Sequence, residues 1–508
     1  MNYTIGIDIG TTGTKTLLID EAGRIRASAV AGYKLMTPAP GWAEQDPAWW
    51  ARAATTSVRE VVESSGVDPA HVAGVSLSGQ MHGLVALDAA GKVLCPAMLW
   101  CDQRTSAARA WIENTVGMDR YLRTVLNPPL EGFTAPKLIW LRNNKPGIYK
   151  KMASFALPKD YVRFRLTGAL CTEESDAAGT ALFDVANAQW AWDLMEPLGL
   201  DSSLFPAVRR SVDVAGTITA RAARSTGLLQ GTPVIAGGAD NTCAAIGAGI
   251  IKQGRVSSSI GSSGVIFAHT DTVRTDPQAR LHTFNHSAPG KWYLMGVMLG
   301  AGLSLKWFRD TFAQHEMDVE KRTGRDAYEQ LSRLAEKAPP GAGGVRFLPY
   351  LNGERTPHKN PHARGVYFGI SQGTQRSHMI RALFEGVTLG LKDSLDLIED
   401  VAGFKVKEIR ATGGGARSAF WRQMQADVFG RPVCTLNHDE GPAFGAALLA
   451  AAGAGLYPSI TAAVNKTVKV RTTINPNMEN HKKYLALQKT FRSLYRSLEP
   501  EFNTMEND

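Results

Sequence analysis

The chain has 508 residues, 44% of them hydrophobic and 20% charged, with 50 glycines, so it exceeds one ordinary core and reads as two globular domains or more. Its formal charge of +9 is dispersed, with no basic cluster longer than His481-Lys482-Lys483, which favours a cationic surface for small anions over a nucleic-acid stripe. Five cysteines without C-x-x-C spacing argue against a disulfide framework or structural zinc, and for a reducing, cytoplasmic setting.

In chain order, "IGIDIGTTGTKTLLID" (5–20) predicts strands over 3–9 and 15–20 around the turn Gly10-Thr11-Thr12-Gly13, with no signal peptide expected. A further hairpin is expected through Glu21-Ala22-Gly23. Asp46 as N-cap, Pro47 at the first helical position and Gly66 as the stop frame a helix, with Trp50, Ala53, Ala54, Val58, Val61 and Val62 at helical spacing. "VAGVSLSG" then reads as a strand delivering Gln80-Met81-His82-Gly83, and "LVALDAAGKVL" as another hairpin. Near the middle, "VIAGGADN" brings Asp240 to a strand end, and "RVSSSIGSSGVIFAHT" is again strand, glycine turn, strand. "TGGGARSAFWRQMQADVFG" (412–430) reads as strand, glycine cluster, helix. The apolar stretch 443–456 is shorter than the about 20 residues of a membrane span. The tail 481–498 reads as an amphipathic helix for core packing, with Tyr484, Leu487, Phe491, Leu494, Tyr495 and Leu498 on one side.

Ile9-Gly10-Thr11-Thr12-Gly13 and Ile260-Gly261-Ser262-Ser263-Gly264 agree in kind at every position, half a chain apart. A duplicated α/β domain follows as the working reading, with a boundary near 230–250 and halves of 1–245 and 246–508. Backbone N–H groups and hydroxyls in such turns can cradle phosphate oxygens. The P-loop spacing is absent, because Lys15 stands where its second glycine would be and a strand follows; the dinucleotide G-x-G-x-x-G is absent too. An ordinary hairpin turn suits either copy alone better than it suits the pair. Asp8 is matched by Ser259, so its carboxylate is a candidate for chemistry done once: holding Mg²⁺, directly or through water, between itself and a triphosphate. Lys15 is either a phosphate partner or a solvated surface lysine. Asp240 fits a general base taking a hydroxyl proton, and also a helix N-cap. Gly413-Gly414-Gly415 admit a flat ligand or an anion against bare backbone, or else close helix–strand packing. His82 alone reads as a structural histidine and Met81 as core.

With "SGQMHG", "LWCDQR", "GFTAPK", "LPKDYVRFRLTG", "SDAAGT", "GGADN", "IGSSG", "GERTPH" and "GGGARSAFWRQM" added, the chain resembles the FGGY family of carbohydrate kinases from residue 5 to about 450. It departs from the usual pattern at Ala239, Ser262 and Cys101. The resemblance implies duplicated actin/hexokinase/heat-shock-chaperone-like (ribonuclease H-like) domains around a central cleft. The first half would carry one phosphate hairpin and the sugar site, the second half the other hairpin and the adenosine site. By the same resemblance Asp240 is the catalytic base and Asp8 organises Mg-ATP. Gly10, Thr11, Thr12, Lys15, Gly261, Ser262 and Ser263 line the phosphates; Gly413, Gly414, Gly415 and Ala416 border the adenosine. Met81, His82, Asp102 and Asn241 stand at the sugar. Three of the motifs, "SGQMHG", "GFTAPK" and "GERTPH", narrow the expected reaction to ATP-dependent phosphorylation of D-xylulose at its C5 hydroxyl. Another ketose or polyol, such as ribulose or a sugar alcohol, is the alternative; an actin- or chaperone-like ATPase and a non-catalytic sugar sensor are less favoured. The expected partners are ATP and a small sugar, with neither nucleic acid nor membrane, and a homodimer by family habit.

Overall fold

The computed structural model describes residues 1–504. Two mixed sheets carry the fold. The first contains β1 (Tyr3–Ile9), β2 (Gly13–Asp20), β3 (Ile25–Gly32), β4 (Val72–Gly79), β5 (Val214–Thr217) and β6 (Pro233–Ala239). The second contains β7 (Arg255–Ile260), β8 (Gly264–Thr270), β9 (His282–Asn285), β10 (Trp292–Met298), β11 (Glu408–Thr412), β12 (Val433–Leu436) and β13 (Val470–Ile474).

The first sheet runs β3-β2-β1-β4-β6-β5, and the second runs β10-β8-β7-β11-β12-β13 with β9 added outside β10. Strand for strand the senses agree: antiparallel, antiparallel, parallel, parallel, antiparallel. The glycine-turn match is thus the visible part of a whole-sheet correspondence. The copies part at one edge, where β5 precedes β6 in the chain but β13 follows β12.

Helix α1 (Pro47–Ser65) forms where its signals place it. The Asp46 side chain accepts from Ala48 N at 2.9 Å, Gly66 closes the helix in the left-handed region (φ 64°), and the six apolar positions face inward. It lies on β2 and β3, while α2 (Thr134–Asn144) and α3 (Pro158–Thr167) build up the rest of the first half. The hairpin expected after Val85–Leu87 closes with Asp88 N donating to Lys92 O and Leu94 N to Ala86 O, each at 3.0 Å, around the bridge Leu87 to Val93, and Val85–Leu87 also pairs with the distant segment Ser154–Ala156.

Helix α4 (Asp240–Gly247) follows β6. In the second half come α5 (Gly302–Phe312), α6 (Arg376–Ala402), α7 (Ala419–Phe429) and α8 (Pro442–Gly453). The apolar stretch at 443–456 becomes α8, which packs on α4 and on β1 and β4 of the first sheet. That contact is backbone-close. A Cβ at Gly6 would stand 1.9 Å from Ala443 O, and one at Gly445 would stand 1.8 Å from Cys243 O. The terminal helix α9 (Met478–Thr504) buries Tyr484, Phe491, Leu494 and Tyr495 against the second core, with Leu487 and Leu498 packed at its margin. Among the described residues, no helix is long and apolar enough to cross a membrane.

Candidate active site

The parallel strands β1, β4 and β6 end in register, with Ile9 and Ala239 both opposite Gly79. Asp8 precedes this row and Asp240 follows it, so one sheet edge presents both carboxylates. Ligands of open α/β sheets bind outside such carboxyl ends. Burial lifts Asp240 to about 7, and the neighbouring Asp8 charge adds to the rise while the Asn241 N–H opposes it. Burial likewise lifts Asp8 to about 6 against the pull of Ser78 and Lys15. Asp240 is the first residue of α4 rather than its cap; Ala239 holds the N-cap position, and Asp240 Oδ1 accepts from Asn241 N at 2.7 Å. Asp8 Oδ1 and Asn241 Oδ1 are buried acceptors without a protein partner. Buried polar atoms are nearly always satisfied, so these two oxygens leave acceptor capacity at the strand ends that a ligand could take up.

The first glycine turn has its carbonyls tied back. Gly10 O accepts from Tyr33 OH at 2.6 Å and Gln80 Nε2 at 3.3 Å, Thr11 O from Gln45 Nε2 at 2.7 Å, and Thr12 O from Tyr33 N at 3.1 Å. Among the described residues, no protein acceptor takes the N–H of Thr11 or Thr12. The turn therefore shows donors outward and hides acceptors, the polarity an anion needs. The Thr11 hydroxyl itself is engaged, accepting from Trp100 Nε1 at 3.0 Å. The second turn is braced by a helix. Gly261 O and Ser262 O accept from Gly302 N and Leu303 N at the start of α5, each at 2.9 Å, and Ser262 and Ser263 are exposed. Lys15, opposite Asp8 in the β1–β2 ladder, is ion-paired with Glu440 just ahead of α8, so it bridges the two halves.

A cleft of about 870 Å³ begins at Asp240 and Asn241 and reaches Gly413, Gly414 and Ala416, passing Ser259, His438 and Glu440. The glycine trio does not open an α-helix. It forms a 3-10 turn over 414–416, and α7 starts later behind its own cap, Ser418, whose Oγ accepts from Trp421 N at 3.2 Å. Gly413 has φ 74°, and a Cβ there would meet Ile260 O at 2.7 Å; a Cβ on Gly415 would meet the Ile260 side chain at 2.6 Å. Gly415 therefore packs inward on the second hairpin rather than lining the cleft. The bare backbone of Gly413 and Gly414 is what faces it.

On the first-half side, His82 has φ 67° and stacks on Phe133 with ring centroids 4.2 Å apart. Its Nδ1 lies 2.5 Å from Gly179 O. A carbonyl only accepts, so Nδ1 carries the proton and Nε2 keeps a lone pair. Burial drives this ring down to about 3, assisted by the charges of Lys137 and Arg355, so it is neutral. Met81 is buried beside it, near Gly179. Asp102 is fully buried and committed: Arg104 takes both its oxygens, and Ala43 N donates to Oδ2 at 2.7 Å. Asn241 Nδ2 donates to Tyr293 OH at 2.9 Å, which aims its free Oδ1.

Sequence reasoning missed Lys137. This fully buried amine donates to His82 O at 2.8 Å and Gly132 O at 2.7 Å, and burial lowers it to about 7. It also missed Arg355, whose charge adds to the burial that depresses both His82 and His282. The available signals were their places in "GFTAPK" and "GERTPH".

Residues 3–247 match the FGGY family of carbohydrate kinases, N-terminal domain, and residues 256–454 match its C-terminal domain. The chain is 40% identical over 495 residues to a xylulose kinase of Bacillus subtilis (strain 168), covering 97% of each chain. It superposes on the crystal structure of a xylulose kinase from Rhodospirillum rubrum with a TM-score of 0.90, at 31% identity, covering 99% of this chain and 100% of that one. A gluconate kinase from Lactobacillus acidophilus gives a TM-score of 0.91 at 27% identity, covering 99% of each chain.

Proposed function

Because the chain belongs to the FGGY family of carbohydrate kinases, and is thus a phosphotransferase, we propose that it transfers the γ-phosphoryl group of ATP to the C5 hydroxyl of D-xylulose. The observation that carries this reading is the single cleft joining the raised carboxylate of Asp240 to the bare backbone at Gly413 and Gly414. The similarity to xylulose kinases supports the choice of sugar.

In this reading Gly413, Gly414 and Ala416 border the adenosine, and Gly415, packed on Ile260, supports them from behind. The phosphates lie between the N–H groups of Thr11 and Thr12 and those of Ser262 and Ser263, with Gly10 and Gly261, whose own N–H groups close the two hairpins on Gly13 O and Ser263 O, letting the backbone approach and Lys15 released from Glu440 to reach them. Asp240 accepts the C5 hydroxyl proton while that oxygen forms its bond to Pγ; the Pγ–O bond to ADP breaks, and the proton later leaves to solvent. His82 offers Nε2 and Asn241 offers Oδ1 to sugar hydroxyls, and Met81 packs under the chain of carbons. Asp102, closed off by Arg104, acts by holding the 99–104 loop beside Lys137. The orphaned Oδ1 of Asp8 fits Mg²⁺, a hard ion often bound by one carboxylate plus waters and substrate phosphates. Among the described residues there is no cluster of three or more acidic, His or Cys side chains that could hold a metal, which suits an ion brought in with the nucleotide. That ion would neutralise phosphate charge. Phosphoryl transfer is mostly positioning and charge stabilisation, so two clamps from opposite halves are a fitting design. We take 1–245 and 246–508 as the two domains, with α8 reaching back across that division.

A coupled ADP-release assay over D-xylulose, D-ribulose, xylitol, gluconate and no sugar tests the reading. Turnover is expected to be highest with D-xylulose and negligible without an acceptor. Sugar-independent ATP turnover would replace it with an ATPase; preference for another acceptor would keep the kinase and move the substrate.

A further inference from the structure

The residue before Asp240 is held at both of its polar backbone atoms by side-chain hydroxyls. Ala239 N donates to Ser175 Oγ at 3.0 Å, and Ala239 O accepts from Thr242 Oγ1 at 2.9 Å. A third hydroxyl, Ser287, lies 2.5 Å from Thr242 Oγ1 and 3.1 Å from Ser175 Oγ. Each hydroxyl has one proton to give. Ser175 gives its own to Glu173 at 2.8 Å and Thr242 to the Ala239 carbonyl, so the short contact takes the proton of Ser287. The chain of bonds then runs Ser287 to Thr242 to Ala239 O, and Ala239 N to Ser175 to Glu173.

Glu173 is a fixed anchor. It accepts from Ser175 N and Asp176 N, each at 2.9 Å, and from Ser211 Oγ at 2.7 Å, with Lys159 Nζ at 3.3 Å. Lys159 in turn packs under the strand ends, since a Cβ on Gly79 would stand 2.9 Å from its Cβ. Ser287 comes from the segment between β9 and β10, so the second half completes the arrangement. It presses so close that a Cβ on Gly238 would meet its Oγ at 2.1 Å. Ser175, Thr242, Ser287 and Glu173 all have 0% exposure, so none can touch a substrate. Apolar residues would fill this volume at lower desolvation cost. The hydroxyls gain meaning from what they fix.

We propose that Ser175, Thr242 and Ser287 are positioning residues, a hydroxyl clamp that holds Asp240 in line for proton transfer and ties its placement to the docking of the second half. This rests on the reading of Asp240 as the base. Misplacement of a reacting group by about 1 Å costs up to roughly a hundredfold in rate.

The test uses the full chain with whichever acceptor turns over fastest. It compares Thr242→Val, Thr242→Ser, Ser175→Ala, Ser287→Ala and Asp240→Asn by steady-state ADP release, with thermal melting alongside. Thr242→Val and Ser287→Ala are expected to lose about tenfold or more in kcat with both KM values within about twofold. Thr242→Ser, which keeps the hydroxyl, should stay near the parent. Equal losses in Thr242→Val and Thr242→Ser would reduce the site to packing and overturn the clamp. An inactive Asp240→Asn beside a Ser287→Ala of parental kcat would overturn the clamp while leaving the base in place. An active Asp240→Asn would instead remove the base. Should Thr242→Val not fold, Ser287→Ala, at the far end of the same bond chain, decides.

Discussion

Asp240 is lifted to about 7 because it is buried beside Asp8, and a general base works only when ionised. The fraction ionised is then about 9% at pH 6 and about 91% at pH 8, a tenfold span that a carboxyl of ordinary pKa would not show. The quantity to measure is kcat/KM for the sugar, which reports the free enzyme, across pH 5.5 to about 8.5 at constant ionic strength. It should rise with unit slope up to about pH 7 and then level. Below about pH 6 the slope should steepen, because Asp8 at about 6 protonates too, and the two limbs belong to the pair rather than to either residue. The residual activity of Asp8→Asn supplies the control. Removing the like charge lets Asp240 fall back, so the limb moves to lower pH even as the rate drops. A profile flat from pH 6 to about 8, or a limb unmoved in Asp8→Asn, would refute the argument that burial and mutual repulsion set this carboxylate.

Two other substitutions probe the ends of the site. Gly413→Ala forces a side chain into a positive φ and against Ile260 O, so it should raise KM for ATP about tenfold or more with little change in sugar KM; equal changes in both would deny Gly413 a nucleotide-specific role. Lys137→Met leaves the Gly132 carbonyl without its donor and the His82 carbonyl with the Thr134 hydroxyl alone, at 3.1 Å. Each unsatisfied buried acceptor costs about 1–3 kcal/mol, so melting should fall and sugar KM should rise, while nucleotide KM holds.

The local devices were legible in sequence because a few adjacent residues decide them. The caps of α1, the two glycine hairpins and the strand-end position of Asp240 all follow from spacing within a short window. The duplication was visible in five residues, yet it extends to a matched order of six strands per sheet. What escaped were pairings fixed by tertiary approach. Ser175 and Ser287 meet across 112 positions, and Lys15 finds Glu440 from the other half of the chain. No periodicity signals such a partner. The glycine trio stands one turn ahead of its helix because three glycines followed by Ala-Arg-Ser give no cap until Ser418, and the backbone uses the slack for a 3-10 turn.

An aspartate beside a turn that offers donors to an anion would repel that anion, and Asp8 stands in this position next to a second carboxylate, Asp240. Burial lifts both carboxylates, and the Asp8 charge lifts Asp240 further because a single sheet edge holds both; two buried like charges are costly. Lys15 stands opposite Asp8 in the ladder, yet it is paired with Glu440, which lines the cleft. Each charge of the site therefore sits beside an unfavourable or provisional partner in the free protein. Under the proposed function an incoming polyphosphate with its metal would answer each of these: the cation for the carboxylates, and the anion for Lys15 and for the free N–H groups of the two turns. Because Lys15 and Glu440 belong to opposite halves, the proposed exchange of partners would also change what ties the halves together. Ligand entry and the relative placement of the two sheets would then be coupled electrostatically, with Asp240, whose preceding residue is held by hydroxyls from both halves, between them.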